Sequence, residues 1–306
     1  MLKAPRLRRG DAIGIVSPAG PAHTPQELQH ASRHAELLGL VPVFGKHATD
    51  RYGYLAGKDS ARAEDFNRFA RDPQIRGIFA LRGGYGVMRI LDEIDYAALL
   101  HDPKVVLGFS DITALLNAIT VRTGLITFHG PAMAHASFTS DVLEGIKRST
   151  MHREPLGPLR VRDARSIHGG RARGKLMGGN LSIVAALSGG PFRVPCDNAI
   201  LLLEDVREAP YRIDRMLTTL RINGDIERAA AIGLGNFPLC EPHEGDDIPS
   251  LTLAEVFADR LAGLDKPVLG TLEIGHVERQ WTLPLGAWGT LDADAKTFSV
   301  DESAVT

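Results

Sequence analysis

The chain has 306 residues, 44% of them hydrophobic and 24% charged, with a formal net charge of −2. That length exceeds what one hydrophobic core usually serves, so two packed domains are expected. The near-balanced charge lacks the basic footprint of a nucleic-acid binder, and no stretch approaches the ~18 apolar residues of a membrane span.

The two cysteines, Cys196 and Cys240, have no CxxC spacing, which argues against a disulfide framework and a cysteine-rich zinc site. At the N-terminus Arg8-Arg9 is followed by Gly10-Asp11 and a short apolar run, not by the longer run of an export signal. A soluble, cytoplasmic protein that binds neither nucleic acid nor membrane is expected.

Strand-like and helix-like segments alternate from the start. "AIGIV" (12–16) predicts a strand that ends at Ser17-Pro18-Ala19-Gly20, and "PQELQHASRHAELLG" predicts a helix closed by Gly39. "VPVF" (41–44), a helix around 60–71, "IRGIFAL" (75–81), a helix from about 86 to 93, "KVVLGFS", a helix over 111–123 and "LITFHGP" continue the series. Short apolar strands separated by helices predict a parallel sheet covered on both faces, a Rossmann- or flavodoxin-like α/β domain over 1–150. In such sheets ligands bind at the carboxyl ends of the strands. Residues 151–170 carry arginines, prolines and no helical period, so a linker is expected there. Over 171–306 short strands and helices alternate again, which predicts a smaller, mixed α/β domain.

Ser110 of "VVLGFSDITALL" stands where a strand hands over to a helix. Such a turn exposes a hydroxyl beside the N–H groups of the next helix, a setting for a nucleophile. Ile112 replaces the second glycine of a GxSxG elbow, and a helix-capping serine is the competing role. In "LRGGYGVMRIL" Gly83, Gly84 and Gly86 follow a strand and permit close backbone approach to a ligand, as an oxyanion donor or a phosphate cradle. Arg82 could clamp a carboxylate or form an ordinary ion pair. Glu204 closes the apolar run "AILLLE", an expensive place for a carboxylate without a partner such as a histidine; Asp205 and Glu208 compete for that role, while Tyr211 suits an amphipathic helix. His276 follows Gly275 in "LEIGHVERQ", a loop setting suited to a general base, but it is one of eleven histidines and His129 also follows a strand-like run. Ser182 is a second candidate nucleophile, although capping suits both it and Asn180.

Together "AIGIVSPAGP", "LRGGYGVMRILDEIDY", "VVLGFSDITALLNAI", "GLITFHGPAM", "LMGGNLSIVAALSGGP", "LLLEDVREAPYRIDRMLTTLR" and "IGH" followed by "LPLG" resemble the LD-carboxypeptidase family of serine peptidases, in the family's order from residue 12 to about 286. The resemblance implies a Ser-His-Glu triad split between two domains: Ser110 as nucleophile, His276 as base and Glu204 as the acid that orients it. It implies an oxyanion hole from the N–H of Asp111 and one from Gly83 or Gly84, with Arg82 as a candidate for the substrate carboxylate. No metal or organic cofactor is implied, and members commonly pair as homodimers. The implied substrate is a murein tetrapeptide of cell-wall recycling, cut before its terminal D-alanine. The chain departs from many relatives in carrying Val277, not glycine, directly after His276. A microcin self-immunity group within the family, acting on peptidyl or aminoacyl nucleotides, is the alternative, although Trp281 and Trp288 are the only tryptophans and no inserted loop carries one to stack on a base. A non-catalytic phosphate or nucleotide binder and an inactive scaffold on the same fold are the remaining options.

Overall fold

The strand Ala12–Val16 (β1) is buried at four of its five positions, as a strand covered on both faces must be. The structure, a computed structural model, describes residues 1–242 and 249–306. It divides into two units, the first formed by Met1–Pro155, Trp281–Gly286 and Ser303–Thr306, the second by Leu156–Gln280 and Ala287–Glu302.

In the first unit β1, β2 (Val41–Phe44), β3 (Ile75–Ala80), β4 (Val105–Gly108) and β5 (Thr127–His129) run parallel in the order β2-β1-β3-β4-β5. This is the flavodoxin-like order, whose switch point falls between β1 and β3. A sixth strand, Leu283–Leu285 (β12), pairs antiparallel with β5. The helices are α1 (Pro25–Leu37), α2 (Asp59–Arg71), α3 (Tyr96–His101), α4 (Thr113–Thr123) and α5 (Ser140–Thr150). Helix α2 turns Phe66 and Phe69 inward, and the Phe69 ring occupies the space where Gly14 of β1 lacks a side chain. Helix α4 stops at Gly124, whose φ of +70° supplies a left-handed cap. The helix expected from about 86 to 93 is a 3-10 turn, Val87–Glu93. Gly86 enters it at φ +123° and Ile94 leaves it in an extended conformation, which confines it to seven residues.

In the second unit the strands are β6 (Gly157–Leu159), β7 (Arg165–His168), β8 (Arg171–Asn180), β9 (Ala199–Glu204), β10 (Ala231–Leu234), β11 (Val268–Gly270), β13 (Trp288–Asp292) and β14 (Thr297–Val300). They form one sheet in the order β6-β14-β13-β8-β9-β10-β11-β7, with β8 to β11 parallel and the remainder antiparallel. The helices are α6 (Leu181–Leu187), α7 (Pro210–Ile222), α8 (Asp225–Arg228) and α9 (Leu253–Leu261). Leu201 and Leu203 of β9 share a core with Ile213, Leu217 and Leu220 of α7 and Val256 of α9.

The division departs from the expected boundaries in two places. Residues 151–170, expected as a linker, contain β6 and β7, the two edges of the second sheet. An edge strand pairs on one side only and tolerates Pro158 and exposed arginines, so it lacks the apolar signature of an inner strand. The segments 281–286 and 303–306, expected in the second domain, return to the first unit, where Leu283 and Leu285 are buried.

Candidate functional site

Ser110 begins the 3-10 turn Ser110–Ile112 directly beyond β4 and has φ +59°. Phe109 before it is extended, so the chain turns sharply at the serine, and α4 begins three residues on. A left-handed φ costs a non-glycine residue roughly 1–2 kcal/mol, a strain characteristic of functional turns. The positions that flank the helical turns are Phe109 and Ile112, neither with a side-chain cap, which leaves Ser110 without the capping role. The turn depends on Gly108: a Cβ there would lie 2.7 Å from Cγ2 of Ile112, which folds back over it. The second glycine of an elbow is replaced in space by Gly83, where a Cβ would lie 2.9 Å from Ser110 Cβ, 3.1 Å from its Oγ and 3.6 Å from the Asp111 nitrogen.

The loop after β3 is therefore packed on the serine. Its other side meets the loop after β1, where Gly20 N–H donates to Gly83 C=O at 3.1 Å and a Cβ on Gly84 would lie 2.9 Å from Gly20 N. Asp111, 3% exposed, accepts the Val87 N–H at 2.9 Å. Burial pushes its carboxyl up to about 6, against the opposing effects of that N–H and of the Arg62 charge. Arg82 forms an ion pair with Glu27 of α1, Nη1 lying 3.0 Å from Oε1, while its buried Nε has no hydrogen-bond partner among the described residues.

In the second unit Glu204 ends β9 and is fully buried. Its Oε2 lies 3.0 Å from Nδ1 of His276, whose side chain is 25% exposed, on the loop after β11. Two glycines make the room: a Cβ on Gly275 would stand 2.5 Å from Glu204 Oε2, and one on Gly235 would stand 3.0 Å from Glu204 Cβ. Val277 N–H donates to Gly275 C=O at 2.9 Å and closes a tight turn around the histidine, so the missing glycine at 277 is accommodated locally. Burial raises the Glu204 pKa above the ordinary carboxylate range, while hydrogen bonds from His276 and Asn180 draw it down. In the tautomer that donates an Nδ1 proton to Glu204, the imidazole has its lone pair on Nε2, as a general base requires.

The remaining candidates have structural partners. Ser182 donates its hydroxyl to Asp205 at 2.7 Å, and Asp205 also accepts from Ser182 N–H and Asn180 Nδ2, so this buried carboxylate anchors the start of α6. Glu208 pairs with Arg212, and Tyr211 lies on α7 beneath Arg212 and Arg215. His129 is buried at the end of β5 with its ring edge-on to Phe109. Burial pushes the Cys196 thiol up to about 12 and the Cys240 thiol up to about 11. Among the described residues no group of three or more His, Cys, Asp or Glu side chains is placed to hold a metal ion, and no helix is long and apolar enough to cross a membrane. The sequence had offered Asn180 only as a cap; it does cap α6, accepting from Ile183 N–H, and it also supports Glu204, its register partner on the neighbouring strand. The charge of Arg62 beneath the glycine loop had no sequence signal, since a lone arginine in a helical segment reads as solvent-facing.

A strained serine on a strand-to-helix elbow and a histidine oriented by a buried carboxylate are the groups a serine hydrolase requires. Residues 13–130 match the LD-carboxypeptidase N-terminal domain and residues 173–291 the LD-carboxypeptidase C-terminal domain. The chain belongs to the LD-carboxypeptidase family of serine-type hydrolases. It is 34% identical to the probable murein peptide carboxypeptidase of Bacillus subtilis, over 98% of this chain and 94% of that protein. It is 31% identical to the murein tetrapeptide carboxypeptidase of Pseudomonas aeruginosa, over 92% and 93%. Among solved structures, the microcin C7 self-immunity protein MccF in its wild-type apo state superposes with a TM-score of 0.90 at 28% identity, each chain covered in full.

Proposed function

We propose that the protein is a serine LD-carboxypeptidase that removes the terminal D-alanine from murein tetrapeptides, acting in cell-wall recycling in the cytoplasm as a homodimer. The observation that carries this proposal is the 3.0 Å contact of His276 Nδ1 with a fully buried carboxylate at the end of β9. An isolated buried carboxylate is costly, and orienting a base gives it a function. In the proposed reaction His276 Nε2 takes the Ser110 proton as Oγ attacks the carbonyl carbon of the third residue. The oxyanion is held by the N–H of Asp111 and one from Gly83 or Gly84. His276 then protonates the departing amine of D-alanine, and water, activated by the same imidazole, hydrolyses the acyl-enzyme to free the shortened peptide. Glu204 fixes the tautomer and stabilises the imidazolium. Arg82 is proposed to take the D-alanine carboxylate, with Glu27 holding the guanidinium in place; Arg82→Ala should then raise KM more than it lowers kcat.

The test is mass spectrometry of murein tetrapeptide incubated with the wild type and with Ser110→Ala. Release of one D-alanine by the wild type alone is expected. No release by a folded wild type would reject the substrate, and equal release by both would reject the nucleophile. The fit to the self-immunity protein favours a second substrate class, aminoacyl-nucleotide conjugates, to which the same pair of proteins should be exposed in parallel.

A further inference from the structure

Two buried charges beneath the glycine-rich loop are left over by the triad chemistry: the Arg62 guanidinium of α2 and the Asp111 carboxylate. They meet a single peptide unit. Arg62 Nη1 donates to the Gly86 carbonyl at 2.9 Å, and the Asp111 carboxylate accepts the Val87 N–H at 2.9 Å, so both polar groups of the Gly86–Val87 peptide are held, each by a charge opposite to its own partial charge. Rotating that peptide by half a turn would set its carbonyl against a carboxylate and its N–H against a guanidinium, in a setting where both charges are almost wholly buried. The loop is thereby locked in one orientation.

The same charges tie this peptide to the rest of the strand ends. Arg62 Nη1 also donates to the Pro18 carbonyl in the loop after β1, and Nη2 lies 2.5 Å from Asp59 Oδ1. Asp59 in turn receives Nη2 of Arg89 at 2.8 Å, which fastens the 3-10 turn that starts at Val87. Asp111 follows Ser110 directly, so its side chain connects the glycine loop to the serine elbow. The glycine at 86 is required by the clamp, for a side chain there would strike Leu55 and meet Arg62 Nη1 at 3.0 Å.

We propose that Arg62 and the Asp111 side chain are positioning residues: by clamping the Gly86–Val87 peptide from both sides they hold the Gly83–Gly84 backbone N–H groups in register with Ser110. This rests on Ser110 being the nucleophile and on the glycine loop supplying an oxyanion donor. Both side chains are almost wholly buried and spent on the loop, so loss of the clamp should act on turnover and leave substrate affinity in place.

The test compares Asp111→Ala, which removes the acceptor, with Asp111→Asn, whose carbonyl oxygen still accepts from Val87 N–H. Asp111→Ala should lower kcat by about tenfold to hundredfold with KM nearly unchanged, the effect of a misplaced oxyanion donor. Asp111→Asn should recover most of the loss. Wild-type kcat in folded Asp111→Ala, or an Asp111→Asn no better than the alanine variant, would overturn the proposal. If Asp111→Ala does not fold, Arg62→Lys serves in its place, since one ammonium cannot span Pro18, Gly86 and Asp59; wild-type kcat in that variant is equally fatal. The rate of Ser110 labelling by a fluorophosphonate is measured alongside, because it needs the serine and its oxyanion donors and no peptide. Should murein peptides prove not to be substrates, slower labelling of the variants supports the clamp. Labelling at the wild-type rate overturns it, and so does a wild type that resists the reagent, since the nucleophile itself would then be lost.

Discussion

Gly83→Ala is the sharpest probe of the serine elbow, because its effect is predicted from a single contact. Gly83 is not among the positive-φ glycines, so alanine is allowed by the backbone there and the perturbation is purely steric. The added methyl would stand 2.9 Å from Ser110 Cβ and 3.1 Å from Oγ, whereas carbon atoms in contact rest at about 3.5–4.0 Å. The elbow or the loop must yield by roughly 0.6–1 Å, and neither has slack. Gly108 is covered by Ile112, and the Gly83 carbonyl is tied to Gly20. A displacement of about 1 Å at reacting groups costs on the order of a hundredfold in rate, or about 2.7 kcal/mol of transition-state stabilisation. Overpacking in a well-packed site costs about 1–3 kcal/mol of stability. The assay is kcat/KM for D-alanine release, read beside urea denaturation to show that the variant is folded. Near-wild-type kcat/KM in a folded Gly83→Ala protein would refute the reasoning that this loop holds Ser110 in its proposed role as nucleophile.

Glu204→Gln should fold and lose about 10³–10⁴-fold in kcat, because the amide cannot stabilise the imidazolium and holds the wrong tautomer; turnover within tenfold of wild type would remove Glu204 from the chemistry. Asp111 makes a pH prediction. Its folded carboxyl titrates at about 6, above the ordinary 3.8, so the folded state binds the extra proton between those values and gains stability as pH falls through that window. The penalty at neutral pH is about 3 kcal/mol at most, and Glu204, also raised, contributes in the same direction. The stability difference between wild type and Asp111→Asn, measured by urea denaturation at about pH 7 and about pH 4.5, should therefore shift in favour of the wild type at the lower pH, and an unchanged difference would contradict the burial argument.

The parallel strands were legible because a strand covered on both faces is written as an unbroken apolar run, as in Val105-Val106-Leu107 and Leu201-Leu202-Leu203. Ser110 was legible as a residue at a strand-to-helix junction, but its left-handed backbone was not, since no glycine stands there to betray it. The supporting glycine is 27 positions earlier in the chain, and only the adjacency of β3 and β4 brings it near. Edge strands β6 and β7 were hidden by the polar, proline-containing composition that exposure on one side allows. Arg62 and Arg82 show the limit most clearly: one, inside α2, is almost wholly buried against the Pro18 and Gly86 carbonyls, and the other, in the loop after β3, is paired with Glu27, contacts made with residues far away in sequence.

Strand β12 has a consequence for dissecting the chain. It is the hydrogen-bonded neighbour of β5, yet it lies more than 150 residues downstream, beyond most of the second unit. A gene fragment cut at the apparent boundary near residue 155 would leave the open ladder of β5 without its cover, an adhesive margin that invites self-association. Neither unit corresponds to a contiguous stretch of gene, so recombination or expression of a half-protein must carry the Trp281–Gly286 ribbon with the first half, or graft a substitute for it.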